Sequence, residues 1–174
     1  MSRCRTTLLA VLMLLGACGE RDAAPVADAH ALQAVSFDGW QQALAARRGT
    51  IVVVDFWASW CTTCIERFPA MVAMSKRYRE QGVQFLSLNV DDPNDAAAIA
   101  WSQQYLRGLD TGIAHYRLDE NLMQAFERLD LLGIPVVRIY DKGGTEAVRL
   151  TGDDPNNQFD DDDVATAIQR LLAH

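Results

Sequence analysis

Basic residues are scarce in this sequence of 174 residues. It has 16 Lys and Arg against 23 Asp and Glu, and its formal net charge is -7. Nucleic-acid binding needs a basic face for the phosphates, so this deficit argues against a nucleic-acid partner. Hydrophobic residues make up 49% and charged residues 22% of the chain, which is typical of a soluble globular protein. The length fits one ordinary domain plus a targeting segment.

The sequence also lacks an apolar run long enough to span a bilayer. Leu8–Leu15 is an apolar run of eight residues, whereas a membrane-spanning helix needs about 20. Arg3 and Arg5 precede the run and small residues follow it, which is the pattern of a secretory signal peptide. A buried N-terminal helix is the less favoured alternative, because no polar face interrupts the run. We predict that residues 1–17 are a signal peptide.

Cysteine is rare, with four in the whole chain. Leu15-Gly16-Ala17-Cys18 resembles the lipobox of bacterial lipoproteins, in which the cysteine becomes the lipid-bearing N-terminus. This resemblance implies that Cys18 is lipidated and that Cys4 is lost with the signal, which leaves two free thiols. Residues 18–31 are small and polar, and we predict that they form a lipid-anchored flexible tether. An ordinary cleaved signal with an incidental Cys18 is the alternative.

Strand and helix patterns alternate along residues 32–174, which are predicted to form one domain. Ile51–Phe56 is a β-branched run without polar alternation, which is typical of a central strand covered on both faces. Segments 136–140 and 146–150 are predicted to pair as a hairpin. The sequence therefore predicts an α/β fold with a central mixed β-sheet flanked by helices. The other predicted strands are 32–35, 83–90 and 113–118, and the predicted helices are 39–47, 64–81, 95–107, 121–129 and 164–172.

Cys61 and Cys64 form a Cys-x-x-Cys motif between a predicted buried strand and a predicted helix. Free backbone N–H groups and the dipole at a helix N-terminus stabilise a thiolate, so the pKa of Cys61 is expected to be lowered. Residues at i and i+3 share one helix face, so the two sulfurs can close a disulfide. Zinc is disfavoured because no second Cys or His pair has metal-ligand spacing. An inert structural disulfide remains an alternative.

The segment from Val52 to Cys64, with the sequence VVVDFWASWCTTC, resembles the active-site segment of the thioredoxin superfamily. Pro69 lies where that family bends its active-site helix, Gly133-Ile134-Pro135 matches its cis-proline loop and Gly152 matches a late glycine. The resemblance extends in order over about residues 32–172. The chain is longer than plain thioredoxin between Asn89 and Pro135, and this helix-strand insertion resembles the TlpA/ResA branch. The resemblance implies a thioredoxin-like fold.

The same resemblance implies roles for individual residues. Asp55 would exchange a proton with Cys64, provided that burial raises the pKa of its carboxyl group; a solvated strand-end carboxylate is the alternative. Pro135 would be cis and would place the Ile134 backbone beside the disulfide to pair with an extended substrate. The predicted substrate-binding residues are Trp60, Thr62, Thr63, Ile134 and Pro135, whereas Trp57 is predicted to lie in the core.

Several positions depart from the family pattern. Thr62-Thr63 replaces the proline-containing dipeptides that are common between the cysteines, so the reduction potential cannot be inferred from the motif. Glu66 receives no catalytic role, because the TlpA branch often has its glutamate at the next position, where this chain has Arg67. Val136 and Arg138 stand where a threonine and an aromatic residue are usual. The three histidines lack metal-ligand spacing and are predicted to be surface residues: His30, His115 and His174.

By this resemblance the chain is an exported thiol-disulfide oxidoreductase that reduces disulfides in periplasmic proteins through the cysteine pair. The implied partners are disulfide-bearing periplasmic clients, a membrane electron donor of the thiol-reductase type and the lipid anchor. The protein is expected to be a monomer. Its redox group is the disulfide itself, so no cofactor and no metal are expected. A periplasmic lipoprotein is implied, with a part in cytochrome c maturation, and Gly19 in place of Asp slightly favours the outer membrane.

Two other functions remain open at this point. Soft thiolates suit Cu(I), so the motif could serve a copper metallochaperone. Met71 and Met74 fit core packing better than copper ligation. A thiol oxidant or a peroxidase of the same fold is the second alternative, although a peroxidase needs a peroxidatic cysteine in its own motif.

Overall fold

The computed structural model describes residues 31–153, 156 and 158–173. The predicted signal peptide and Cys18 lie outside the described residues, as does all of the predicted tether except Ala31. None of the helices in the described part is long and apolar enough to cross a membrane. The strands are β1 (Leu32–Val35), β2 (Ile51–Trp57), β3 (Val83–Asn89), β4 (Ala114–Leu118), β5 (Val136–Tyr140) and β6 (Glu146–Thr151). The helices are α1 (Phe37–Ala45), α2 (Thr62–Tyr78), α3 (Ala96–Arg107), α4 (Leu122–Arg128) and α5 (Asp161–Leu172).

The six strands form one sheet in the order β1-β4-β3-β2-β5-β6. The first four of these run parallel to one another, and β5 and β6 are antiparallel to their neighbours. The predicted mixed sheet and the β5–β6 hairpin are therefore confirmed. Helix α3 and strand β4 occupy the predicted insertion, with β4 between β1 and β3.

Strand β2 is buried along all seven residues because it has a neighbouring strand on each side and a packed layer on each face. On one face Val53 and Trp57 pack against α2, α3 and α5 residues. On the other face Val54 and Phe56 join a second cluster that contains Trp40. Full burial of each such side chain stabilises the fold by about 1.5–3 kcal/mol. The sequence of β2 lacks polar alternation because both faces of the strand are covered, as predicted.

Three predicted helix starts are wrong, and local hydrogen bonds give the reason. Helix α1 begins at Phe37 rather than at residue 39, because Ser36 is its N-cap and accepts a hydrogen bond from the Gly39 backbone N–H. Helix α2 begins at Thr62 rather than at residue 64, because Cys61 is its N-cap, and it ends at Tyr78 before a short 3-10 turn. Helix α5 begins at Asp161 rather than at residue 164. Its N-cap Asp160 accepts from the Asp163 backbone N–H while Asp163 accepts from the Asp160 N–H, so the acidic run forms the first turn.

The prediction that His115 lies on the surface is also wrong, since the structure buries it completely. Strand β4 is an interior strand, and Phe68 of α2 lies over the imidazole with a distance of 6.0 Å between ring centroids. Each ring nitrogen lies 2.8 Å from a hydroxyl oxygen, that of Ser87 or Thr111. Two neutral hydroxyls thus satisfy a polar ring in the interior.

A buried carboxylate ties the insertion to the segment before the cysteines. Asp91 is fully buried and accepts hydrogen bonds from the backbone N–H and hydroxyl of Ser59, at 2.9 and 2.8 Å. Its other oxygen accepts from Asn89 at 2.8 Å and from Ser102 of α3 at 2.6 Å. This carboxylate therefore joins the end of β3, helix α3 and the loop after β2.

We expect Asp91→Ala to lower the free energy of unfolding by about 3 kcal/mol or more, because it leaves several buried donors without an acceptor. Urea unfolding followed by circular dichroism would measure this. Asp92→Ala is the matched control: Asp92 is less buried and bonds within its own turn to Asn94, so its loss should cost about 1 kcal/mol or less. Equal costs for the two variants would contradict the assigned role of Asp91.

Candidate active site

The two cysteines of the motif form a disulfide at the start of α2. Cys61 and Cys64 are bonded, with their Cα atoms 5.3 Å apart. Both side chains are largely buried, at 6% and 1% exposure. The pairing that the motif predicts is therefore present in the structure. The pair lies at the edge of the sheet where β2 ends.

Cys61 occupies the N-cap position of α2, where it is close to backbone donors. The Cys64 backbone N–H donates to the Cys61 sulfur at 3.3 Å, and the Ile65 N–H donates to the Cys61 carbonyl at 3.1 Å. Donors and the positive end of the helix dipole at this position favour negative charge on the leading sulfur once the disulfide is reduced. The geometry therefore suits Cys61 as the attacking thiolate.

Hydrogen bonds on both sides hold the loop that leads to the cysteines. The Cys61 backbone N–H donates to the Ala58 carbonyl at 3.1 Å, and Ser59 is fixed by Asp91 as described above. The role of Asp91 cannot be seen in the sequence, because the local pattern does not show that its carboxylate binds Ser59, which lies 32 residues earlier in the chain. The insertion thus supports the site directly.

Asp55 lies within β2 and is 5% exposed. Burial raises the pKa of this carboxyl group to about 7, although the positive charge of Arg67 lowers the pKa and the negative charge of Asp161 raises it. The predicted rise is confirmed, and the alternative of a solvated strand-end carboxylate is not what the structure shows. A group with this pKa can take up or release a proton near neutral pH.

The Ile134–Pro135 peptide bond is cis, as predicted. Strand β5 is antiparallel to β2 and pairs Val136 with Phe56, so the proline lies at the sheet edge where β2 ends and the cysteines follow. Gly152 donates its N–H to the Pro135 carbonyl at 2.9 Å. A Cβ atom on Gly152 would come within 3.0 Å of the Pro135 ring, which explains why glycine fits there.

Apolar side chains are exposed around this edge. Trp60 is 53% exposed, whereas Trp57 is completely buried in the core as predicted. Thr62 and Thr63 are exposed, and Ile134 is half-buried. Leu132 is 88% exposed just before the cis-proline loop, and sequence analysis did not single it out. The structure thus leaves the predicted substrate-binding side chains accessible except Pro135, which is buried.

The described part of the chain contains no cluster of side chains suited to bind a metal ion. Among those residues, no group of three or more His, Cys, Asp or Glu side chains could hold a metal ion. Met71 and Met74 are buried at 3% and 8% exposure within the core cluster of α2. Their predicted role in core packing is confirmed.

Comparisons with known proteins agree with this geometry. The chain matches the AhpC/TSA family over residues 22–145. It is 28% identical over 114 residues to the thiol-disulfide oxidoreductase ResA of Geobacillus kaustophilus, which covers 66% of this chain and 62% of that relative. It is 41% identical over 63 residues to a Callithrix jacchus thioredoxin, over 36% of this chain and 58% of that protein. The chain thus matches less than two thirds of the length of either relative.

Solved structures share the fold. A Chlorobium tepidum protein assigned as a DsbE thiol:disulfide interchange protein superposes with a TM-score of 0.59 at 25% identity, over 74% of this chain and 84% of that one. The predicted thioredoxin-like fold and the predicted resemblance to the TlpA/ResA branch are therefore confirmed. The chain belongs to the AhpC/TSA family, within its ResA-like and DsbE-like thioredoxin-fold branch.

Proposed function

We propose that this protein is an exported thiol-disulfide oxidoreductase that reduces disulfides in other proteins. The observation that carries the proposal is the Cys61–Cys64 disulfide with Cys61 at the N-cap of α2 and a buried carboxyl group, that of Asp55, in the adjoining strand. The cysteine pair is itself the redox group, so the proposed reaction needs no cofactor and no metal.

The reaction has two exchange steps. The Cys61 thiolate attacks a client disulfide, a mixed disulfide forms, and the departing client thiolate takes a proton. Cys64 then gives its proton to Asp55 and attacks the Cys61 sulfur, which releases the second client thiolate and closes the Cys61–Cys64 disulfide. Two electrons pass from the pair to the client. A dithiol electron donor must restore the pair before the next cycle.

The client would bind along the edge that carries the cysteines. An extended segment can pair with the Ile134 backbone beside the cis proline, as in strand addition. Trp60 offers an apolar surface next to Cys61, and Thr62 and Thr63 are exposed between the sulfurs. In such a site few side chains would determine which client sequences bind. This suits an enzyme with several unfolded or extended protein clients.

The reducing direction is the finer part of the proposal. The motif is chemically reversible, and two features support reduction: a thioredoxin-like buried aspartate and a TlpA-like insertion. Both are present in the structure as Asp55 and as the α3–β4 insertion. A membrane electron donor of the thiol-reductase type and a part in cytochrome c maturation complete this proposal.

Export and anchoring rest on the sequence, since the leader lies outside the described residues. We propose cleavage after Ala17, lipidation of Cys18 and residence at the periplasmic face of a bacterial membrane, with the outer membrane favoured. Strand β1 runs parallel to β2 through β4 and β3. Strand β1 therefore begins, at Leu32, at the sheet edge opposite the cysteines, so the proposed tether would be attached away from the site. The protein would act as a monomer.

The cysteine pair gives the first test. Cys64→Ser should trap clients as mixed disulfides with Cys61, because the resolving thiol is lost, whereas Cys61→Ser should trap none and lose insulin-reduction activity. Non-reducing gels and a turbidity assay would show both effects. A reduction potential for the pair near the thioredoxin value of about -270 mV is expected, and one near the DsbA value of about -120 mV would overturn the reducing direction.

The same assays separate the alternatives. Stoichiometric copper on the anaerobically purified protein, without insulin reduction, would support a metallochaperone instead. Consumption of hydrogen peroxide by the Cys64→Ser variant would support a peroxidase. Neither alternative has a described ligand cluster or a second active-site motif in its favour.

Replacement of Asp55 tests the direction in which stability changes with pH. Its pKa in the folded chain, about 7, exceeds the unfolded value of 3.8, so ionisation of this carboxyl group destabilises the fold as pH rises through that range. Asp55→Asn should therefore raise the free energy of unfolding by at most about 4 kcal/mol at pH 8 and by little near pH 4. It should also slow the resolving step about 10-fold or more at neutral pH.

Urea unfolding at the two pH values and stopped-flow exchange with a small disulfide would measure these effects. Glu66→Gln is the matched control, since Glu66 is an exposed acid on the same helix as the cysteines. It should alter neither the pH dependence of stability nor the resolving rate. A uniform gain in stability at both pH values would contradict the assigned burial of charge at Asp55.

Anchoring has its own test. In a bacterial host, Cys18→Ser should abolish incorporation of labelled fatty acid and move the protein from the membrane pellet to the soluble fraction, because the lipid-bearing residue is lost. Cys4→Ser is the control and should leave both properties unchanged. Membrane retention of the Cys18→Ser protein would contradict the lipoprotein proposal. It would not affect the proposal of thiol-disulfide exchange.

A further inference from the structure

Arg67 links the active-site helix to the start of the last helix. It lies three residues after Cys64, where the sequence departs from the glutamate of the resembled branch. Its Nη2 atom lies 3.2 Å from Oδ1 of Asp161, the first residue of α5. The guanidinium also stacks over the Phe159 ring, 4.0 Å from its centroid. Two contacts from the α5 end of the chain thus fix a side chain of α2.

These contacts do not use every hydrogen-bond donor of the Arg67 guanidinium. Its side chain is 20% exposed, and within the described residues its Nη1 atom is buried without a hydrogen-bond partner. A buried N–H group of a cation normally has an acceptor, because a buried donor without one loses the hydrogen bonds that it makes in water. An acceptor that becomes charged during the reaction would meet this need.

Asp55 is the buried acid on the sheet face that α2 and α5 cover. It alternates with Val53 and Trp57 along β2, and these two residues pack in the cluster that contains α2 and α5 side chains. Arg67 favours its ionised form and Asp161 opposes it.

Tyr105 of α3 is another titratable group that interacts with Asp55: burial raises the pKa of Tyr105, and the Asp55 charge raises it further. The Cys64 sulfur lies 3.9 Å from the carbonyl oxygen of Phe56, the residue after Asp55.

The neighbouring strands add little charge beside Asp55. Its register partners on β3 and β5 are Ser87 and Val137, both uncharged. His115 lies one strand further on, beyond Ser87, and contacts hydroxyls. Among the described residues, Arg67 and Asp161 are therefore the charged side chains that act on this acid.

We propose that Arg67, held in place by Asp161 and Phe159, is a positioning residue that sets the protonation of Asp55 during the resolving step. The inference deepens the proposed function and rests on it. When Asp55 accepts the Cys64 proton it becomes neutral, and when it releases that proton Arg67 stabilises the carboxylate. Asp161 weakens this stabilisation, so the contact between α2 and α5 tunes the pH range of the enzyme.

Opposite charge changes give the test. The titration of the Asp55 carboxyl carbon would be followed by NMR in the oxidised full chain, purified in detergent and labelled in its aspartates. Arg67→Gln should move the titration midpoint upward by about half a pH unit or more, because a cation is lost. Asp161→Asn should move it downward, because an anion is lost. Arg67→Lys should restore most of the wild-type midpoint.

Two further variants control the comparison. The double variant of Arg67→Gln and Asp161→Asn should titrate near the wild-type midpoint, since the two effects oppose each other. Lys76→Gln removes a cation from the far part of α2, where Lys76 forms an exposed pair with Asp110, and it should not move the midpoint. The pH profile of disulfide reduction should shift in the same directions as the titration.

The proposal requires both shifts with opposite signs. An unchanged midpoint in Arg67→Gln, or movement of both single variants in one direction, would overturn it and would reduce the ion pair to a structural contact between helices. The NMR titration needs no activity. Absence of disulfide reduction with the two shifts intact would therefore refute the proposed function and retain the electrostatic coupling.

Discussion

Complete burial of β2 is the constraint on which the rest of the structure depends. The strand has paired neighbours on both sides and a packed layer on both faces, so its carboxyl end is held rigidly against the core. Cys61 follows that end and caps α2. A disulfide site placed there is held in a fixed geometry by the strand and the helix.

The same burial creates the chemical property of Asp55. A carboxyl group in water ionises near pH 4, whereas desolvation in β2 raises its pKa to about 7. Ionisation of this buried carboxyl group therefore costs the fold stability as the pH rises through about 7. Structural optimisation alone would place an apolar residue at this position, so the presence of an acid in an otherwise apolar strand favours a role in proton transfer.

Two polar links connect the site to distant parts of the chain. Asp91 joins the loop before the cysteines to α3 through Ser59 and Ser102. Arg67 joins the active-site helix to α5 through Asp161. Asp91 is fully buried, so removal of one of its partners is costly. Arg67 and Asp161 are partly exposed, so their ion pair is weaker. The insertion and the last helix therefore both help to define the redox centre.

Local sequence determined much of this protein: the covered strand Ile51–Phe56, the cysteine pair and the β5–β6 hairpin follow from patterns within a few residues of one another. The cis Ile134–Pro135 bond is predicted by the resemblance to the thioredoxin superfamily. Tertiary structure alone decided the burial of His115, the four hydrogen bonds to Asp91 and the contact of Arg67 with Asp161. These depend on which elements become neighbours. Periodicity along the chain carries no information about a side chain's partners when, as for most of these contacts, they lie 11 to 94 residues away.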